Sequence, residues 1–189
     1  MSTGVGLTRR WTQRGVSISM GSNRKRLLVD AKSLTDYYTK MFTKENVPED
    51  EAFMITDSLV VANPRGVDPH GVNRMPIYMQ RLRENLVKSK CSFEVIREAP
   101  GSMMVDGQSS LGTVLGVKVM EKAIKKSKES GVIGVGVCNL NHYGTASYFS
   151  MMALMHDMIA LSASNAPPTM APWGGTKPFS FDIKVLAND

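Results

Sequence analysis

Cysteine is scarce in this 189-residue sequence, and Cys91 and Cys138 stand far apart without the CxxC spacing of a redox or zinc site. Two isolated cysteines indicate a reducing compartment and side chains that pack as small apolar groups. No apolar run approaches the roughly 18 residues that a membrane span requires, so we expect no membrane partner. With 42% hydrophobic and 21% charged residues, the composition is that of a folded globular protein.

Acidic residues are absent from the first 29 positions, and this absence accounts for the whole net charge of +6. From Asp30 onward, Lys and Arg equal the 17 Asp and Glu residues in number. Residues 1–29 form a basic arm with the composition of a mitochondrial transit peptide, which predicts the mitochondrial matrix. A solvated tail on a cytoplasmic protein is the alternative. The arm has no recognition helix or zinc pattern, so we expect no nucleic-acid partner. Its six cations are Arg9, Arg10, Arg14, Arg24, Lys25 and Arg26.

Several widespread catalytic motifs are also missing. The sequence has no HExxH, P-loop or GxSxG motif, which removes the main support for a zinc peptidase, an NTPase or a serine hydrolase. Gly134 and Gly136 do not complete a GxGxxG fingerprint, because Asn139 stands at its last position. These glycines also lie within a predicted strand rather than after one. A Rossmann site is therefore not supported.

Hydrophobic periodicity after the arm predicts three helices and then two strands. The first helix is expected to begin at Ser33, where a cap precedes an acid three positions later. The second is expected to begin at Val47–Glu51 and to end at Asn63–Pro64, and the third to span Asn73 to Leu86. The two alternating segments 93–97 and 102–106 predict neighbouring strands or a hairpin.

The second half of the sequence alternates predicted helices and strands, which indicates an α/β layered core. Its predicted elements are a helix over 111–130 that ends at Gly131, an apolar strand over 132–138 buried on both faces, a helix over 145–157 and a strand over 158–162. Four methionines at helical spacing in the later helix are expected to fill core space rather than bind metal.

Two of the three histidines, His70 and His142, stand in glycine-bearing loops that follow regular elements. Loops on a rigid scaffold carry a disproportionate share of catalytic groups, and histidine exchanges protons near neutral pH. Arg74 follows His70 by four residues, so both could face one cavity, where an arginine would hold a carboxylate. The alternatives are a surface or turn-stabilising histidine and a surface arginine.

The segment 164–175 follows a predicted strand and contains small residues, three prolines and two glycines. Ligands of open α/β sheets gather at the carboxyl ends of strands, and exposed backbone N–H groups suit phosphates. A plain connecting loop is the alternative interpretation.

Taken in order, five segments resemble those of the malate/L-lactate dehydrogenase family, whose members lack a Rossmann fold. The resemblance extends from about Leu28 to Phe179 and implies an α/β fold with N-terminal helices and a layered α/β core. The segments are 65–74, 105–107, 111–112, 141–144 and 166–175.

The resemblance also implies a division of the chain by role. We expect the arm over 1–29, a helical, substrate-side region over 30–110 and a cofactor-binding region over 111–189. The chain is only somewhat longer than half of a usual family member, so we expect the C-terminal part, including the rest of the cofactor region, to be missing.

The activity implied by the resemblance is hydride transfer between NAD or NADP and a 2-hydroxy or 2-keto acid such as malate or lactate. His70 would be the proton donor and acceptor, with His142 as a second active-site histidine and the alternative acid/base. Arg74, Asn141 and His142 would bind the substrate.

The resemblance assigns the cofactor to one further loop and implies a homodimer. The cofactor-binding residues would be Asn165, Pro168, Thr169, Met170, Ala171, Pro172, Trp173, Gly174 and Gly175.

Two other functions compete with this expectation. The first is a non-catalytic fragment that binds or dimerises with full-length dehydrogenase subunits. The second is a metal-dependent hydrolase that uses His70, Asp68 and His142. No close ligand pair at helical spacing supports that hydrolase, so we predict no bound metal.

Overall fold

The structure is a computed structural model that describes residues 16–18, 27–165, 174–176 and 183–184. The chain divides into two compact units with a boundary between Thr145 and Ala146. None of the helices in the described ranges is long and apolar enough to cross a membrane. The division by role at residues 30 and 111 concerns function and stays a prediction.

The first unit begins with a short antiparallel pair, β1 (Val16–Ile18) and β2 (Leu27–Val29), followed directly by helix α1 (Ala31–Lys44). The cap of α1 is Asp30, whose carboxylate accepts from the backbone N–H of Ser33 at 2.7 Å and from its hydroxyl at 2.9 Å. The prediction of Ser33 as the cap was wrong. Ser33 lies in the first turn of the helix, and the acid three residues earlier satisfies its N–H.

Helix α2 (Glu49–Ala62) is the central element of the first unit. It begins after Pro48 with three acidic residues in its first turn, where carboxylates offset the positive helix end. Its second half is buried on every side, which is typical of a helix inside a core. The helix ends at Asn63–Pro64 as predicted.

Two short 3₁₀ turns, Asp68–His70 and Val72–Arg74, connect α2 to helix α3 (Met75–Arg83). The third predicted helix is therefore present but shorter than expected, with Pro76 in its first turn. One apolar core joins the three helices and the start of the long helix that follows. Its fully buried members include Phe42, Ile55, Leu59, Val60 and Val114.

A three-stranded sheet forms the second layer of this unit. Strands β3 (Glu94–Ala99) and β4 (Ser102–Asp106) form a hairpin, one of the two predicted arrangements, and β5 (Gly134–Cys138) runs parallel to β4. Helix α4 (Gly112–Ser130) connects β4 to β5 and packs on the sheet through Leu115 and Val119. Gly131, at φ 77°, ends this helix as predicted.

The prediction that strand 132–138 is buried on both faces was wrong. Strand β5 begins only at Gly134, and in the described sheet it pairs with β4 alone, so it lies at an edge. Val132 is 73% exposed, and the strand residues are half-buried or exposed. An apolar run thus indicated a strand correctly without indicating how many neighbours cover it.

The second unit contains helix α5 (Ala146–Leu154) and a short pair, β6 (Ser162–Ala163) with β7 (Ile183–Lys184). Helix α5 stops three residues earlier than predicted, and Asp157 adopts φ 56° just beyond it. Of the predicted strand 158–162, only Ser162 lies in a strand, β6. Ile159 is 96% exposed and pairs with no described strand. Of the four methionines expected to fill core space, Met151 and Met152 are buried, whereas Met155 is 37% exposed and Met158 is half-buried beyond the end of α5.

Candidate active site

The loop that carries His70 is fixed by the side-chain amide of Asn63, which is buried at the end of α2. Its Nδ2 donates to Asp68 Oδ1 at 2.7 Å, and its Oδ1 accepts from the Val72 N–H at 3.0 Å. A Cβ atom at Gly71 would lie 2.3 Å from Asn63 Oδ1, so only glycine allows this close approach. One amide therefore holds both sides of the turn that presents His70.

The second loop, Asn141–Gly144, follows β5 and crosses the first turn of α4. A Cβ atom at Gly112 would lie 2.0 Å from the carbonyl oxygen of Asn141, so the loop touches the helix backbone itself. The Asn141 side chain adds a hydrogen bond to the Ser109 carbonyl at 3.0 Å. This contact between glycine and backbone determines where the next residue, His142, is placed.

The two loops bring His70 and His142 together, although 72 positions separate them in sequence. Nδ1 of His70 lies 3.1 Å from Nε2 of His142, and the rings are 6° from parallel. On the other side of His142, the Tyr78 hydroxyl lies 2.6 Å from Nδ1, and the Gly144 N–H donates to the same atom at 3.3 Å. Tyr78, His142 and His70 thus form one hydrogen-bonded row.

The donors around His142 determine its tautomer. The Tyr78 hydroxyl and the Gly144 N–H both donate to Nδ1, so a neutral His142 carries its proton on Nε2 and donates it to Nδ1 of His70. This arrangement aligns two successive proton positions. The row can accept a proton at its Tyr78 end and release one to His70 at the other end.

Tyr78 was not among the residues predicted from the sequence. Burial raises the pKa of Tyr78 to about 12, outweighing the hydrogen bond with Thr113 and the charges of Arg74 and Arg81, which lower it. Its hydroxyl therefore stays protonated at physiological pH and can donate to His142. The available signal was its helical spacing, because Tyr78 lies one helical turn after Arg74, the cap of α3.

A cavity of about 190 Å³ opens beside this row. The predicted substrate residues Arg74, Asn141 and His142 all line it, whereas His70 is not among the lining residues and contacts His142. Arg74 is oriented by donating from Nε to the Pro69 carbonyl at 2.7 Å. The remaining lining residues are Ile77, Tyr78, Arg81, Val87 and Leu111.

A second cation at this cavity, Arg81, was also missed. Its Nη1 donates to Asn141 Oδ1 at 2.7 Å, which joins α3 to the loop of His142. Arg81 follows Arg74 by seven residues, two helical turns along the same face. This spacing can be read from the sequence, but many surface arginines have the same spacing, so it does not identify Arg81 as a site residue.

The malate/L-lactate dehydrogenase family model matches residues 29–180 of this chain. The chain belongs to that family. Malate dehydrogenase of Pyrococcus horikoshii is 40% identical over 142 residues, which are 75% of this chain and 39% of that protein. L-sulfolactate dehydrogenase of Methanocaldococcus jannaschii is 37% identical over 153 residues, 81% of this chain and 42% of that protein. The chain thus spans about two fifths of the length of these relatives.

Solved structures of the same two dehydrogenases share the fold. The P. horikoshii enzyme superposes with a TM-score of 0.76 at 36% identity, covering 82% of this chain and 45% of that one. The M. jannaschii enzyme gives 0.73 at 35% identity, covering 80% and 44%. The expected fold, that of the malate/L-lactate dehydrogenase family with N-terminal helices and an α/β core, is confirmed.

The cofactor loop expected in this family member is only partly described. Pro168 to Trp173 lie outside the described residues, and Asn165, Gly174 and Gly175 are exposed. Gly174 adopts φ 76°, and no described atom lies within 4 Å of where its Cβ would be. The role of this loop in cofactor binding stays a prediction.

The alternative metal site is not supported in this family member. No group of three or more His, Cys, Asp or Glu side chains in the described ranges is placed to hold a metal ion. The Asp68 carboxylate, which that alternative required, accepts from Asn63 instead.

Proposed function

We propose that this protein is an oxidoreductase that transfers a hydride between NAD or NADP and a small 2-hydroxy or 2-keto acid, malate being one such acid. The row Tyr78–His142–His70, which ends at a cavity lined by Arg74, is the observation that carries the proposal. The names of the relatives agree with it. They include an NAD(+)-dependent ureidoglycolate dehydrogenase and an NADP(+)-dependent sulfolactate dehydrogenase.

Arg74 binds the substrate carboxylate in this proposal. Its Nε is held by the Pro69 carbonyl, which leaves the outer edge of the guanidinium for a carboxylate. A charge-assisted contact of this type fixes both the position and the orientation of the acid. The C2 hydroxyl is then directed toward the lining side chain His142.

His142 is the acid/base in this proposal, because it lines the cavity and His70 does not. During oxidation the substrate hydroxyl proton goes to the Tyr78 oxygen as the Tyr78 proton moves to Nδ1 of His142, and the Nε2 proton of His142 moves to Nδ1 of His70. A bound nicotinamide would supply the hydride acceptor for C2, and the hydroxy acid would thereby become a keto acid. His70 accordingly acts as the proton partner of His142 rather than on the substrate.

The direct test is steady-state oxidation of malate and lactate with NAD and with NADP by the purified chain. His142→Ala should lower kcat/KM at least about 100-fold, the usual worth of a general base. His156→Ala is the matched control, because His156 is an exposed histidine beyond α5. Equal activity of the two variants would refute the role of His142.

Absence of turnover with both cofactors would refute the activity itself. The competing hypothesis of a non-catalytic fragment then predicts that the chain co-purifies with a longer subunit of the same family. We propose in addition a homodimer and a mitochondrial address in the arm. Sedimentation of the purified chain tests the homodimer. Most of the arm lies outside the described residues, and cell fractionation tests its mitochondrial address.

A further inference from the structure

Two cations line the 190 Å³ cavity, and no carboxylate is among the described residues that line it. Each cation makes its side-chain hydrogen bond to a neutral acceptor, Arg74 to the Pro69 carbonyl and Arg81 to the Asn141 amide. By contrast Arg83, two residues further along, pairs with the Glu45 carboxylate at 2.6 Å. The cavity thus holds two positive charges that the described chain does not neutralise.

Like charges at one small site repel each other, and a ligand with two negative charges removes that repulsion. Arg74 caps the start of α3 and Arg81 lies seven residues later within the helix, so their Cα atoms are separated by about 10 Å along its axis. Tyr78 lies between them, with His142 bonded to its hydroxyl. A substrate held at both ends would therefore place its middle carbons at the proton-exchanging groups.

The size of the cavity agrees with a small diacid. A volume of about 190 Å³ corresponds to roughly six water molecules, which suits an acid of a few carbons. Arg81 is anchored by Asn141, so its guanidinium is presented in one orientation and loses less side-chain entropy on binding. Malate and sulfolactate, after which the relatives are named, each carry two acidic groups.

We propose that Arg81 is a specificity-determining residue that binds a second acidic group at the far end of the substrate. The site then prefers dianionic 2-hydroxy acids, carboxylated or sulfonated at the end remote from Arg74, over monoanionic acids of equal length. This inference rests on the proposed function of the same cavity and adds the chemical class of the substrate.

The kinetic test compares malate with 2-hydroxybutyrate, which has the same chain length and one acidic group fewer. Arg81→Gln should raise the KM for malate about 10- to 100-fold, the worth of a hydrogen bond between charged groups. It should leave kcat for malate within about threefold and kcat/KM for 2-hydroxybutyrate within about twofold. Arg83→Gln, the same change outside the cavity on the same helix, should alter neither.

A purely structural role for Arg81 predicts a different result. If Arg81 serves only to hold Asn141, then Arg81→Gln lowers kcat/KM for both acids by the same factor, which overturns the proposal. Unchanged constants for both acids overturn it as well. Arg81→Lys keeps one cation and should recover part of the lost preference for malate.

A binding measurement separates this proposal from the proposed function. Calorimetry without cofactor should show that the wild-type chain binds succinate at least about tenfold more tightly than butyrate, and that Arg81→Gln removes the difference. That result supports the dianion site even if no hydride transfer is detected. A wild-type chain that binds both acids equally overturns it, whatever the turnover.

Discussion

The Tyr78 hydroxyl lies 2.6 Å from Nδ1 of His142, on the opposite side of the ring from the 3.1 Å contact between His142 and His70. This relationship makes the phenol the donor that fixes the His142 tautomer. The fixed tautomer in turn points the Nε2 proton at His70. A residue outside both histidine loops therefore sets the direction in which a proton moves through the pair.

Replacing Tyr78 with Phe should slow the reaction without disturbing substrate binding. The variant keeps the buried ring but removes the donor to Nδ1, so His142 can adopt the other tautomer. We expect kcat to fall about 10- to 100-fold, within the range of general acid/base contributions, and KM for the acid to change less than twofold. Tyr37→Phe is the control, because Tyr37 is 60% exposed. A rise in KM with unchanged kcat would contradict the tautomer argument.

The same residue predicts a difference in alkaline stability. Burial raises the pKa of Tyr78 to about 12, whereas an unfolded tyrosine titrates near about 10. The folded state therefore retains a proton that the unfolded state loses. This contribution to stability is complete below about pH 10 and disappears as the pH rises to about 12, a change of about 2–3 kcal/mol.

Urea unfolding at pH 9 and at pH 11.5 measures that difference. The wild type should lose more stability than Tyr78→Phe over this interval, and the lysines common to both proteins cancel in the comparison. Parallel loss of stability by the two proteins would show that the Tyr78 hydroxyl is not buried in solution.

The sequence could predict the helices and the hairpin because their signals are local. The apolar stripe of α1, the Pro48 start of α2 and Gly131 at the end of α4 each depend on a few neighbouring residues. The cap at Asp30 was missed because Ser33 and Asp36 form an equally good local pattern. Strand β2 ends at Val29, so the helix begins directly after Asp30, and this distinguishes the Asp30 cap from the predicted Ser33 cap.

The candidate site was predictable to the extent that glycine-bearing loops indicate it. His70, His142 and Arg74 were found in this way. Tyr78 and Arg81 were not, because their contacts with the second loop connect residues 64 and 60 positions apart. Their spacing from Arg74 is also that of any helix face, so the pairing depends on packing that one sequence does not display.

The contact between Gly71 and Asn63 predicts coupled mutations. Gly71→Ala places a Cβ atom 2.3 Å from Asn63 Oδ1, which must move and release Asp68 or Val72. We expect a destabilisation of about 1–3 kcal/mol, typical of overpacking. In an Asn63→Ala background the obstructing amide is absent, so the same change should cost at least about 1 kcal/mol less.

A double-mutant cycle by chemical denaturation measures this coupling. Activity should follow it, with Gly71→Ala impairing turnover because His70 shifts relative to His142. Strictly additive free energies of unfolding would show that the turn relaxes without involving the Asn63 amide.

The start of α4 offers the sharpest prediction, because there the obstruction is backbone rather than side chain. A Cβ atom at Gly112 would lie 2.0 Å from the Asn141 carbonyl oxygen and 2.8 Å from that of His142. Backbone atoms cannot rotate away, so Gly112→Ala must displace the whole loop. We expect a loss of at least about 2 kcal/mol of stability, together with a fall in kcat of about 100-fold, because a displacement near 1 Å misplaces His142.

Gly134→Ala is the matched control for this change, since no described atom lies within 4 Å of its Cβ position and it also lies at the start of a regular element. It should leave kcat unchanged and stability within about 0.5 kcal/mol. If Gly112→Ala behaved like this control, the Asn141–Gly144 loop would not rest on α4. The placement of His142 beside His70 would then need another cause, because this contact is the one that positions the second histidine against the first.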